Sequence, residues 1–106
     1  MVSVSGDGGF GQYMGDWLTA VKYDMGITHV LLRNEQLGKI TKEQRAGHWE
    51  VWETSLHNPS FAEYARISGS LGIEVRETNR LEEALAEALA CDGPALVDIV
   101  ADPELI

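Results

Sequence analysis

The sequence predicts an α/β fold: a parallel sheet of about four strands flanked by helices. Three features point there. Short runs rich in β-branched and aliphatic residues alternate with stretches of helical apolar spacing, the order of a sheet built with helical crossovers. Two of the runs, Thr28-His29-Val30-Leu31-Leu32 and Ala95-Leu96-Val97-Asp98-Ile99-Val100, are nearly continuously apolar, as strands buried on both faces of a parallel sheet are. A glycine-rich turn, Ser5-Gly6-Asp7-Gly8-Gly9-Phe10-Gly11, separates the first strand pattern from the first helical one.

Each element has its own signals. Met1 to Ser5 reads as a short strand. Gly11 to Tyr23 reads as a helix with Met14, Trp17, Leu18 and Val21 on one face, ended by Gly26 as a left-handed cap. Thr28 to Leu32 is the second strand, and it stops at the polar loop Arg33 to Gly38. Lys39 to Asn58 is irregular, with room for a short helical piece. In it, Trp49 and Trp52 read first as core packing and otherwise as a contact surface. Asn58 and Pro59 read as the cap and first position of a helix carrying Phe61, Tyr64, Ala65 and Ile67. Ile73 to Arg76 reads as a strand. Asn79 and Glu82 have the spacing of a capping box ahead of a stripe of Leu81, Ala84, Leu85, Ala88 and Leu89. The opposite face, with Glu82, Glu83 and Glu87, reads as solvated. Gly93-Pro94 breaks the chain before the last strand.

Composition narrows the function. The 106 residues suit one domain, 1-106, and 44% hydrophobic residues suffice for a core. With 8 basic against 17 acidic residues the net charge is −9, which argues against nucleic acid or an anionic membrane surface as main partner. An anionic small ligand stays open if a cation or backbone dipoles hold it. The single Cys91 can form no internal disulfide and reads as a small core residue in a helical pattern. No apolar run approaches the ~18 residues of a membrane span and no signal peptide is visible, so a cytoplasmic setting is expected.

In parallel sheets, ligands bind beyond the carboxyl ends of the strands. The Asp7 turn and the Asn34 loop both follow strand ends. A glycine-rich turn entering a helix can hold phosphates, because the backbone comes close and the helix start offers unpaired N–H groups. Asp7 would repel a diphosphate unless a divalent cation stood between them, and then it becomes a metal ligand. The same stretch also fits Gly-x-Gly-x-x-Gly through Gly6, Gly8 and Gly11, a dinucleotide fingerprint, with Glu35 placed as a ribose-binding acid. That reading leaves the carboxylate of Asp7 without a use. His29 reads as a satisfied core or cofactor-adjacent histidine, and nothing marks His48 or His57 as ligands.

Gly6-Asp7-Gly8, followed after 25 residues (9–33) by Asn34, resembles the cofactor motif of thiamine diphosphate-dependent enzymes. Gly6-Asp7-Gly8-Gly9-Phe10, Thr19-Ala20-Val21-Lys22-Tyr23, Asn34-Glu35-Gln36-Leu37-Gly38, Asn58 to Ala65 and Pro94 to Ile99 look like the pyruvate oxidase and acetolactate synthase branch. The resemblance covers essentially the whole chain. It implies that Mg²⁺ is bound by the Asp7 carboxylate, the Asn34 side-chain oxygen and the Gln36 carbonyl. It implies that the amides of Gly8, Gly9, Leu37 and Gly38 hold the diphosphate. Many members carry a second Asn before the metal-binding one; here Arg33 stands there. It further implies only the later part of a diphosphate-binding domain, hence a fragment of a 2-keto acid (pyruvate) decarboxylating enzyme. Such enzymes draw an essential glutamate from a pyrimidine domain, usually of another subunit. No catalytic residue can therefore be assigned here, the chain alone is expected to be inactive, and a homo-oligomer is expected.

Overall fold

The computed structural model describes residues 1–104. Strands β1 (Val2–Gly6), β2 (Thr28–Arg33), β3 (Leu71–Val75) and β4 (Ala95–Val100) form one parallel sheet in the order β1-β2-β4-β3. Helices α1 (Asp7–Gln12), α2 (Gly15–Lys22), α3 (Gly38–Ala46), α4 (Phe61–Ile67) and α5 (Leu81–Ala90) connect them. The α/β class and the four-stranded parallel sheet match the sequence expectation. Successive strand residues point to opposite faces, and each face has a core. Leu31 and Leu96 pack with Phe10, Trp17, Phe61 and Ala65 on one side. Val75, Ala95 and Val97 pack with Ala84 and Ala88 of α5 on the other. This two-sided burial is why β4 reads as a continuous apolar run. The register sets Gly6 beside Leu32, so the chain leaves β1 and β2 at almost the same level.

Several local expectations are corrected. The first helical segment begins at Asp7, not Gly11, and breaks at Tyr13-Met14 into two helices. Glycine propensity argued for a later start, but burial of Asp7 and Phe10 overrides it. Gly26 is not the left-handed residue; Asp24 is, at φ 49°, a conformation that Asp tolerates better than most side chains. Leu18 and Leu89 face solvent, while the small Ala20, Ala84 and Ala88 fill the core. β3 begins two residues early, at Leu71.

The cap of α4 is Ser60, whose hydroxyl accepts the Glu63 N–H at 3.2 Å. Pro59 therefore lies outside the helix, and Asn58 is free for another role. Asn79 sits in a 3-10 turn, Thr78–Arg80, and α5 starts at Leu81 with no side-chain cap. Cys91 is the residue at the end of α5, partly buried against the second core. Trp49 and Trp52 are 75% and 70% exposed, so neither is core. Their loop is held through backbone groups: Gln44 bonds the Trp52 N–H at 3.1 Å and its carbonyl at 3.3 Å. Among the described residues no helix is long and apolar enough to cross a membrane.

Candidate functional site

The site is built where β1 and β2 end side by side. Asp7 follows β1 and is 2% exposed. Its Oδ1 accepts the Gly8 N–H at 3.1 Å. Its Oδ2 accepts the Glu35 N–H at 2.7 Å and one Asn58 side-chain N–H at 2.8 Å. No Lys or Arg pairs with Asp7 among the described residues. A carboxylate this buried without a counter-ion is costly unless a cation joins it.

Beyond β2 the chain turns sharply at Glu35, φ 62°. The turn lets the Asn34 Oδ1 accept the Gln36 N–H at 3.3 Å. Gln36 pairs with Ser55 in an isolated antiparallel bridge made by Leu37 N–H to the Thr54 carbonyl (2.7 Å) and Leu56 N–H to the Glu35 carbonyl (2.8 Å). That pattern leaves the carbonyl of Gln36 outside the bridge. Leu37 then opens α3 without a side-chain cap, so the Gly38 and Lys39 amides of α3 join the Gly9 amide of α1 as donors that the helices leave free.

A cavity of about 400 Å³ gathers the residues that the resemblance implied for the metal and the diphosphate: Asp7, Gly8, Gly9, Asn34, Gln36, Leu37 and Gly38. It adds Lys39 and Ile40. A Cβ on Gly9 would meet nothing within 4 Å, so packing alone does not require glycine there.

Asn58 and Glu35 are the site residues that sequence reasoning missed. Asn58 read as a helix cap and Glu35 as a ribose acid. Their true contacts join positions 51 and 28 residues away from them, and no local pattern signals that. Behind them, Arg33 Nη1 reaches Glu35 at 3.3 Å. Its Nε donates to the fully buried Asp98 at 3.1 Å, with Nη2 on the second oxygen. Burial works against the Arg33 charge, yet the bonds and charges of Asp98 and Glu35 hold its pKa above the ordinary value.

The dinucleotide reading is not favoured by this geometry. The third glycine of that fingerprint serves close packing of helix on strand, and a Cβ on Gly11 would meet nothing within 4 Å. The Glu35 carboxylate is already held by Arg33 and Asn58.

A second cavity, of about 280 Å³, lies under Phe10 and Trp17 and includes His29. The Nδ1 of His29 is 2.6 Å from the Ser3 hydroxyl and its Nε2 is 2.8 Å from that of Ser5. Phe10 stacks on the ring at 5.1 Å. A neutral imidazole donates from one nitrogen and accepts at the other, so one serine accepts and its fellow donates. Burial lowers the pKa of His29 from 6.5. As pH falls below the unfolded value, the unfolded chain takes up the proton first. The stability His29 contributes is thus full above about pH 6.5 and is lost as pH falls toward its folded pKa. Denaturant unfolding at pH 7 and 5 should show that decline, and His29→Gln should reduce it.

Residues 1–99 match the family described as "Thiamine pyrophosphate enzyme, C-terminal TPP binding domain". The chain belongs to this family. As a thiamine diphosphate-binding domain it has relatives in several organisms. It is 42% identical over 99 residues to YdaP of Bacillus subtilis, provisionally named a thiamine pyrophosphate-containing protein, covering 93% of this chain and 17% of that one. It is 31% identical to the catabolic acetolactate synthase of Raoultella terrigena, covering 96% and 18%. Benzoylformate decarboxylase from Polynucleobacter necessarius shares the fold, with a TM-score of 0.90 at 22% identity, over 99% of this chain and 20% of that one. The chain thus spans under a fifth of the length of the curated relatives named here.

The donor set fits a metal–diphosphate pair. One carboxylate, one side-chain amide oxygen and one unengaged backbone carbonyl are hard oxygen donors. Mg²⁺ is commonly held by one or two carboxylates with phosphates completing its shell. No group of three acidic, His or Cys residues that could hold a metal by themselves occurs among the described residues. A cation at Asp7 would therefore depend on ligand oxygens.

Proposed function

We propose that this domain binds thiamine diphosphate through Mg²⁺ at the Asp7 cavity. Asp7, the Asn34 side chain and the Gln36 carbonyl are the protein ligands of the metal. The amides of Gly9 and Gly38 hold the diphosphate, while those of Gly8 and Leu37, which donate to the Asp7 carboxylate and the Thr54 carbonyl, line its place. The observation that carries this reading is the buried Asp7 carboxylate, hydrogen-bonded but without a counter-ion among the described residues, set between two helix starts. Once bound, the cofactor supplies carbanion stabilisation, while the protein positions it and excludes water. The work of this chain is orientation: Asp7 fixes the cation, and the open face of Gly9 lets the backbone approach the phosphates.

The intact protein would decarboxylate a 2-keto acid such as pyruvate, in the manner of the acetolactate synthases among its relatives. Activity would require a pyrimidine domain from a partner chain. The open edge of β1 and the exposed Trp49 and Trp52 support self-association.

Calorimetric titration of thiamine diphosphate with and without Mg²⁺ tests the binding. Heat of binding should appear only with the metal. Gly9→Ala should weaken it, because Gly9 lines the cavity and its bare backbone there would carry a methyl. Gly11→Ala, equally unhindered but outside the cavity, should bind normally. Metal-independent binding of equal strength would contradict the reading.

A further inference from the structure

We propose that Asn58 is a positioning residue for the metal-binding carboxylate, an inference that rests on the reading of Asp7 as a Mg²⁺ ligand. Both protons of the Asn58 side-chain amide are committed: one goes to Asp7 Oδ2 and the other to Glu35 Oε2, each at 2.8 Å. The reverse orientation would set the amide oxygen against two carboxylates, so the geometry admits only this one. With the Glu35 N–H also on Oδ2 at 2.7 Å, that oxygen is saturated. Oδ1 holds only the Gly8 N–H at 3.1 Å and is the oxygen left to face a cation.

Asn58 also keeps two like charges apart. Glu35 would otherwise stand beside Asp7 with nothing between the two carboxylates. The bridge is itself anchored. Glu35 is held by Arg33, and Arg33 by Asp98 at the buried centre of the sheet. A continuous run of hydrogen bonds therefore ties the orientation of Asp7 to the core, and Asn58 is its last link. Partners of this kind typically change metal affinity by about 10- to 100-fold when removed.

The test uses the 106-residue chain and Mg²⁺ at saturating thiamine diphosphate. Asn58→Leu, close in size but without donors, should lower Mg²⁺ affinity by ~10- to 100-fold. Asn58→Gln, which keeps the donors, should recover part of the loss. Without any ligand, amide hydrogen exchange at Glu35, whose N–H rests on Asp7, should quicken in Asn58→Leu. Exchange at Phe61, whose N–H rests on Asp98 at 3.2 Å, should not change. A general loss of packing would move both amides. Should Asn58→Leu fail to fold, Asn58→Ser, too short to bridge both carboxylates, takes its place with the same expected losses. Normal wild-type binding with unchanged affinity and unchanged Glu35 exchange in the variant overturns the inference alone. No Mg²⁺ binding by the wild-type chain overturns the binding reading and the inference with it.

Discussion

Asp7→Ala is expected to weaken Mg²⁺-dependent binding of thiamine diphosphate by at least about 100-fold, since a direct ligand should cost no less than its supporting partners do. The variant should still fold. Losing the carboxylate strands the Gly8 and Glu35 N–H groups and one Asn58 N–H, donors that are only part-buried and so cost less than the roughly 1–3 kcal/mol of fully buried ones. Against that, it removes a nearly fully buried carboxylate that has no counter-ion. The two effects oppose one another, so the unfolding midpoint should move far less than the affinity. Asp7→Asn separates charge from shape. It keeps the size and one oxygen but removes the charge, and it should bind the metal nearly as poorly as Asp7→Ala. Calorimetry on the three proteins, each checked for folding by circular dichroism, reads the effect. Wild-type affinity in Asp7→Ala would remove Asp7 from the site.

Gly72→Ala should be the most damaging small substitution for stability. A Cβ at Gly72 would lie 2.1 Å from the carbonyl oxygen of Ala62 and 3.1 Å from the Cβ of Ala65. Both belong to α4, and the nearer atom is backbone that cannot rotate away. Helix and strand must separate. With α4 move Phe61, Ala62 and Ala65, all fully buried. Overpacking typically costs about 1–3 kcal/mol, and a clash with backbone belongs at or above the top of that range. Domains of this size are stable by about 5–15 kcal/mol, so a large share would go. Urea unfolding should show a lower midpoint at an unchanged slope. Asn58 enters α4 three residues ahead of Phe61, so cofactor binding should weaken too. An unchanged midpoint would mean that α4 and β3 are not in close contact.

The sheet was legible because a two-sided strand leaves a direct mark. Leu96 serves one core and Val97 the other, so the run cannot alternate. The Asp7 turn and the Asn34 loop were legible as neighbours because both follow strand ends, and β1 and β2 do end level; Gln36, Leu37 and Gly38 came from the family resemblance alone. What stayed hidden was decided by tertiary contact. Asn58 beside Pro59 is a sound helix start by local rules, yet Ser60 caps as well and Asp7 takes the asparagine. The helix through Gly8, Gly9 and Gly11 contradicts propensity, because burial of Phe10 outweighs it. Trp49 and Trp52 look like core by composition, but both stand largely exposed at the surface.

The most direct test is to follow backbone amide signals by NMR while thiamine diphosphate and Mg²⁺ are added together. Two cavities meet at Gly9, and only one is the proposed site. Shifts should concentrate at Gly8, Gly9, Asn34, Gln36, Leu37 and Gly38 and require the metal, leaving Ser3, Trp17 and His29 unmoved. Shifts centred on His29 and Trp17, or the same shifts without Mg²⁺, would contradict a metal-bridged diphosphate at Asp7.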